Sequence, residues 1–250
     1  MHDLVWKPIL IAFTALAAVL PARGSETQER QAILHQVKPA MLVWSIGTNL
    51  PDGPTRMVET VTSATIEGRL AWRITHYPHD AAAATSAEFD TYDVHADTLA
   101  PIRSTMRNPG FELTLSFTGN QVELRRVSGT TTAVERIRLD TAVSPEGPGL
   151  TVFIGSLPLR EGYKRRYHIV DRWDGTEEER VKPMSLTVVE REWVKSAIGR
   201  QDAFRILIEP DDKSFRIIQY VRAQPPHYPL SVEYIRGTDK LSSEVTTLVL

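Results

Sequence analysis

A chain of 250 residues with 29 basic and 31 acidic side chains, a net charge of −2 and no cysteine leaves several function classes out at once. Near-balanced charge gives no electrostatic reason to expect nucleic acid or an anionic membrane surface as a partner. Without cysteine there are no disulfides, thiolate metal sites, cysteine nucleophiles or lipid attachment through an N-terminal cysteine.

In chain order, the first element is a targeting segment. MHDLVWK carries Lys7, the 13 residues from Pro8 to Leu20 are apolar, and PARGSE follows with small side chains. That pattern is a secretory signal. Ala22 and Gly24 stand third and first before the expected cut, so residues 1–24 are read as a signal peptide and residues 25–250 as a single antiparallel β domain. A spanning helix needs roughly 20 apolar residues, and Lys7 and Arg23 bracket this run too tightly. No later stretch is long and apolar enough, so no transmembrane segment is expected after processing. Next comes one short N-terminal helix. Ser25-Glu26-Thr27-Gln28 fits a capping box, Glu26 and Glu29 complement the helix start, Ile33, Leu34 and Val37 share a face, and Pro39 stops it.

Beyond Pro39 the apolar period drops to two. Strands are predicted over Met41–Ile46, Val58–Ile66, Leu70–Tyr77, Glu88–Val94 and Ile102–Met106. In Phe111–Thr118, Phe111, Leu113, Leu115 and Phe117 point one way. With Gly119-Asn120 as a two-residue turn, Phe117 falls opposite Val122 and Leu115 opposite Leu124, while Ser116 meets Glu123 and Thr114 meets Arg125 on a polar face. Glu135–Leu139 follows, and Pro145–Gly149 reads as a mid-chain loop. A second hairpin is placed at Asp174-Gly175, with Arg172 opposite Glu177 but Asp171 opposite Glu178, a clash relieved either by a longer turn or by strands that twist apart near the tip. Phe204–Ile208, Phe215–Val221, Leu230–Ile235 and Val245–Leu250 complete the set. Evenly spaced strands without an alternating helix indicate a mainly β fold, a single curved antiparallel sheet that is open and barrel-like.

Reactive signatures are missing. There is no G-x-S-x-G elbow, H-E-x-x-H or S-x-x-K. His76, His79 and Asp80 cluster in HYPHD, and Asp93, His95 and Asp97 alternate at strand spacing. Such sets can offer nitrogen and oxygen ligands to Zn²⁺ or Mn²⁺, but both fall at strand ends, where polar residues collect anyway. No metal, cofactor or catalytic residue is assigned; a metal-dependent hydrolase using the HYPHD residues stands behind the other readings. Tryptophan and other large aromatics are spread through the strands, and Trp72, Trp173 and Trp193 are the residues expected to reach a concave apolar pocket.

The stretch LPLREGY at Leu157–Tyr163, the strand around Val188-Val189-Glu190, Gly199 leading to AFRILIE, and SFRIIQYV with Pro229-Leu230 opening the last paired strands resemble the domain of unknown function 3108 family of exported bacterial proteins. The likeness runs in order and spacing over about Phe89 to Leu250. It implies a periplasmic or envelope-exposed protein with a curved antiparallel sheet, reminiscent of half-barrels that carry lipids or lipoproteins, and it supplies no catalytic residues. The expectation is therefore an exported, periplasmic, non-catalytic protein that binds a lipid or other apolar small molecule in a concave sheet. The alternative is an assembly factor that offers a sheet face or edge to another envelope protein.

Overall fold

The computed structural model describes residues 37–47, 55–79, 89–172 and 180–250. The expected signal peptide and N-terminal helix, with Trp173, Asp80 and the Asp174-Gly175 turn, lie outside the described residues.

Fourteen strands account for most of what is described: β1 Ala40–Ile46, β2 Thr55–Ile66, β3 Arg69–Pro78, β4 Phe89–His95, β5 Pro101–Asn108, β6 Phe111–Thr118, β7 Gln121–Ser128, β8 Thr131–Arg138, β9 Lys164–Val170, β10 Val181–Ser196, β11 Gly199–Pro210, β12 Arg216–Arg222, β13 Pro229–Arg236 and β14 Asp239–Val249. They form one sheet in the order β8-β7-β6-β5-β4-β3-β2-β1-β14-β13-β12-β11-β10-β9. Every pairing is antiparallel, and all but β1 with β14 join sequence neighbours. A meander of this kind needs only short turns, which the regular spacing of Gly and polar residues supplies.

The sheet is strongly curved. Met106 on β5 and Ile217 on β12 line one cavity, yet seven strand steps separate them in the sheet order. At about 4.8 Å per step a flat sheet would hold them about 34 Å apart. The edge strands β8 and β9 are not hydrogen-bonded to each other. They are drawn together by Glu135 on β8, whose Oε1 lies 2.7 Å from Arg180 Nε at the entry to β10. The chain beyond β8 caps the β9 edge, with Ser144 N–H donating to His168 O at 2.7 Å. The fold is an open barrel.

The Phe111–Ser128 hairpin has the register its sequence predicts: Leu115 faces Leu124, Phe117 faces Val122, Ser116 faces Glu123 and Thr114 faces Arg125. Leu115 is 1 % exposed, but Thr114 on the polar face is also buried, at 7 %. Its cross-strand neighbours Thr105 and Arg125 flank it, and a long side chain such as Arg covers a small one beside it. The β9–β10 hairpin differs from expectation. Its last ladder pair is Val170 with Val181, followed by Asp171 N–H to Arg180 O at 2.7 Å. Asp171 thus stands opposite Arg180, two residues out of the expected register, and Arg172 turns into the barrel toward Asp90 and Glu146.

Among the described residues the helical segment is also not where the sequence placed a helix. A 3₁₀ turn, Gly147–Gly149, within the stretch read as a loop, leads into a helix, α1 Leu150–Gly155, to which the sequence reading assigned no element. LTVFIG is apolar all round, and Thr151 through Gly155 are buried. A segment inside the barrel with no strand to pair with must satisfy its own backbone, and a helical turn does so. Pro148 starts it, its fixed φ suiting a first helical turn, and the Ser156 hydroxyl closes it on Phe153 O at 2.6 Å. This plug divides the interior into three apolar clusters: one about Leu42, Ile74 and Tyr92, one about Phe153, Leu186 and Ile206, and one about Leu113, Leu124 and Ile137.

Candidate functional site

Between the plug and the concave face of the sheet lies a cavity of about 400 Å³. Its apolar wall includes Trp44, Met106, Leu150, Ile217, Val232 and Leu241. A second hollow of about 280 Å³, walled by Tyr167, Met184, Ile208 and Phe215, shares Gly147, Leu150 and Ile217 with the first, so the two adjoin under the plug.

The polar end of the larger cavity is set by strand register. Glu59 on β2 stands directly opposite His76 on β3, and His76 directly opposite Asp90 on β4. On β2 the inward positions are Met57, Glu59 and Val61, on β3 Ile74, His76 and Pro78, and on β4 Asp90, Tyr92 and Val94. One titratable residue thus interrupts the apolar face of each of three adjacent strands, and register aligns them in a row across the sheet.

Glu59 is 4 % exposed. Burial pushes its carboxyl up to about 7, and Asp90 adds to the shift; Thr151 and Trp44 oppose it through hydrogen bonding. The Trp44 indole leans toward this carboxyl, yet Trp44 Nε1 and Glu59 Oε1 are both buried without reaching hydrogen-bond geometry. Burial likewise lowers His76 to about 4, so its imidazole is neutral near pH 7, and Nε2 is buried without a partner. Three unsatisfied polar atoms therefore converge on one apolar cavity. Such atoms are costly unless something outside the chain completes them.

Asp90 differs. Arg172 Nη1 donates to both of its carboxylate oxygens, at 3.2 and 3.1 Å. The same guanidinium approaches Glu146, with Nε 2.7 Å from Oε1. That contact is an ion pair out of line for a hydrogen bond, since both atoms lack a hydrogen-bond partner. Burial raises the Glu146 carboxyl, and Arg172 opposes the shift. Gly147 is required beside this cluster: its φ is +54°, and a Cβ there would meet Arg172 Nη2 at 2.2 Å.

The residues singled out from sequence are dispersed. His76 belongs to the cavity, but its partners are Glu59 and Asp90 from neighbouring strands, not His79. In the second set, Asp93 is held by Arg73 at 2.7 and 3.0 Å and Asp97 by Arg69 at 3.2 Å, so both are engaged in ion pairs. No group of three His, Asp or Glu among the described residues is arranged to hold a metal ion. The tryptophan that reaches the apolar cavity is Trp44. Trp72 is half-buried and packs against the central cluster without lining the cavity. Trp193 is 61 % exposed, lies under the Arg200 guanidinium and borders a mixed-polarity cleft with Arg191 and Asp202. A bulge between Val188 and Glu190 shifts the parity of β10, so Trp193 stands opposite Asp202 on the same face as Phe204 and Ile206, but at the exposed end of the strand and outside the apolar cavity. The sequence signal for the missed residues is modest but present: a charged or imidazole side chain at inward parity between apolar ones.

A family model described as a protein of unknown function, DUF3108, matches residues 53–236. The chain belongs to the DUF3108 family. The match begins ahead of β2, so it takes in the strands that carry Glu59 and His76 as well as the part of the chain whose sequence pattern suggested the family. No curated protein matches the chain. Among solved structures, this DUF3108 chain is similar to a β-barrel-like protein of the domain of unknown function DUF1849 from Brucella abortus, with 10 % identity over 85 % of this chain and 98 % of that one and a TM-score of 0.46. It is also similar to a candidate lipoprotein from Parabacteroides distasonis, at 9 % identity, 86 % and 96 % coverage and a TM-score of 0.34. A third is a candidate exported protein with a YmcC-like fold from Bacteroides fragilis, at 9 % identity, 86 % and 97 % coverage and a TM-score of 0.35.

Proposed function

We propose that this chain is an exported, non-catalytic envelope protein that holds one amphiphilic molecule inside its open barrel, apolar tail under the plug and polar head at the Glu59–His76–Asp90 row. The observation that carries this reading is the mostly apolar cavity of about 400 Å³ with the Glu59–His76–Asp90 row at one end. Interiors normally fill to crystal-like density, and ligand cavities of roughly 300 Å³ or more with a few convergent polar groups are the standing exception. The adjoining hollow lengthens the available path for a tail. The alternative of docking through a sheet edge is weakened at β9, where Ser144 already occupies a backbone acceptor.

The test is mass spectrometry of small molecules retained by full-length protein purified from the cell envelope without detergent. An amphiphile released in near-stoichiometric amount on denaturation supports the reading. Envelope protein that releases none, and takes up none when offered medium-chain alcohols, contradicts it.

A further inference from the structure

The polar end of the cavity has a chemical sign. Two carboxyl groups, Glu59 and Asp90, line it, a third, Glu146, lies on the adjoining hollow, and a single guanidinium, Arg172, answers them. Arg172 is committed to Asp90 and Glu146, which leaves Glu59 with no counter-charge. Glu59 Oε1 is buried without a partner, and so is His76 Nε2. A neutral imidazole with its proton on Nδ1 offers Nε2 as an acceptor, so two orphaned acceptors stand side by side on β2 and β3. The two donors nearest the carboxyl, the Trp44 indole N–H and the Thr151 hydroxyl, are already turned toward it. Both favour the ionised carboxylate.

From this geometry we infer that the bound amphiphile carries a primary ammonium head, which donates to Glu59 Oε1 and His76 Nε2 while its aliphatic tail runs under Leu150 and Ile217. The inference rests on the cavity reading above and narrows it to one class of ligand. Above pH 7, where Glu59 is ionised, an anionic head would face surplus negative charge at this end, and a hydroxyl head would leave the Glu59 charge uncompensated.

Binding also has a proton signature. The groups that face Glu59 are Trp44 on β1, His76 on β3, Asp90 on β4, Thr151 on α1 and, at longer range, Tyr228, with Arg172 and Glu146 beyond Asp90. None of the basic ones pairs with Glu59, and its carboxyl holds a proton up to about pH 7. Seating an ammonium ionises it, so a proton is released on binding below that pH, and amine affinity rises as pH climbs through 7.

The experiment is isothermal titration calorimetry of the full chain with decylamine, 1-decanol and decanoate below their critical micelle concentrations, at pH 6 and pH 8. Decylamine is expected to bind at least tenfold more tightly than decanol at pH 8, with decanoate weakest. The preference should shrink at pH 6. Glu59→Gln is expected to remove the preference for decylamine over decanol, with a circular-dichroism spectrum and a cooperative melting transition like those of wild type showing that the variant is folded. Equal affinity for all three, or decanoate tightest, overturns the head-group inference and leaves the cavity reading standing. Failure of all three to bind overturns both. Retention of the amine preference in Glu59→Gln overturns the assignment of Glu59.

Discussion

Arg172, two residues beyond the end of β9, reaches across the barrel to Asp90 on β4, with both carboxylate oxygens within 3.2 Å of one guanidinium nitrogen. The two residues are 82 apart in sequence, and their strands stand far apart in the sheet order. Their pairing helps hold the curl of a sheet whose edges do not close by backbone hydrogen bonds. Arg172 is 4 % exposed, so removing it strands two buried carboxylates. Breaking a buried pair by deleting one partner costs about 3–5 kcal/mol. Arg172→Met is therefore expected to lose about that much in urea denaturation, and Arg172→Lys to recover only part, since an ammonium cannot repeat the two-carboxylate fork. A loss below about 1 kcal/mol for Arg172→Met would show that the clasp does not hold the barrel.

Gly147 reports on the same clasp from the other side. Its φ of +54° disfavours any side chain, and a Cβ would sit 2.2 Å from Arg172 Nη2. Displacing a long side chain is cheap when it is free, but this guanidinium is pinned by Asp90 and Glu146. Gly147→Ala should cost about 2–4 kcal/mol in the wild-type background, combining backbone strain with loss of the ion pairs. In the Arg172→Met background it should cost only the backbone part, about 1 kcal/mol. Equal costs in both backgrounds would place the effect in the turn alone.

Glu59 should give the folded protein a measurable pH dependence. Burial lifts its carboxyl from the ordinary 4.5 to about 7. An acid raised in this way binds its proton more tightly when folded, so its contribution is fully present below 4.5 and is lost as pH rises through 7. At about 1.4 kcal/mol per unit, the loss is on the order of 3 kcal/mol by pH 8. His76, lowered from 6.5 to about 4, acts the other way: its contribution is present above 6.5 and is lost as pH falls through 4. Comparing wild type with Glu59→Gln isolates the first effect. The stability of Glu59→Gln relative to wild type should rise by about 3 kcal/mol between pH 4.5 and pH 8. A difference that does not change with pH would mean that the carboxyl is solvated.

The strands were legible because period-two alternation and turn residues are local signals, whereas the pairing of β1 with β14 was not. In Phe111–Ser128 turn chemistry and register agree, and the ladder follows them pair for pair. The site was not legible in the same way. Glu59, His76 and Asp90 lie on three different strands and meet only through register, whereas His76, His79 and Asp80 are close in sequence and drew the eye to the wrong grouping. The plug was not picked out from sequence for a related reason. LTVFIG has the apolar, β-branched composition of a strand, and only its isolation inside the barrel makes it helical. Trp44 was not chosen among the strand tryptophans as the one reaching the pocket because its value lies in an unpartnered N–H, which composition does not reveal.

The central claim, that the open barrel holds an apolar tail, is tested most directly by filling the cavity. Val232 lines it between Gln219 on β12 and Ser243 on β14. In a packed core a small-to-large change costs about 1–3 kcal/mol through strain, but here an indole would enter empty space. Calorimetric titration of Val232→Trp with 1-decanol is the measurement. The predicted result is a melting temperature close to wild type with decanol affinity lowered at least tenfold; wild-type decanol affinity in Val232→Trp, with the fold intact, would contradict the claim.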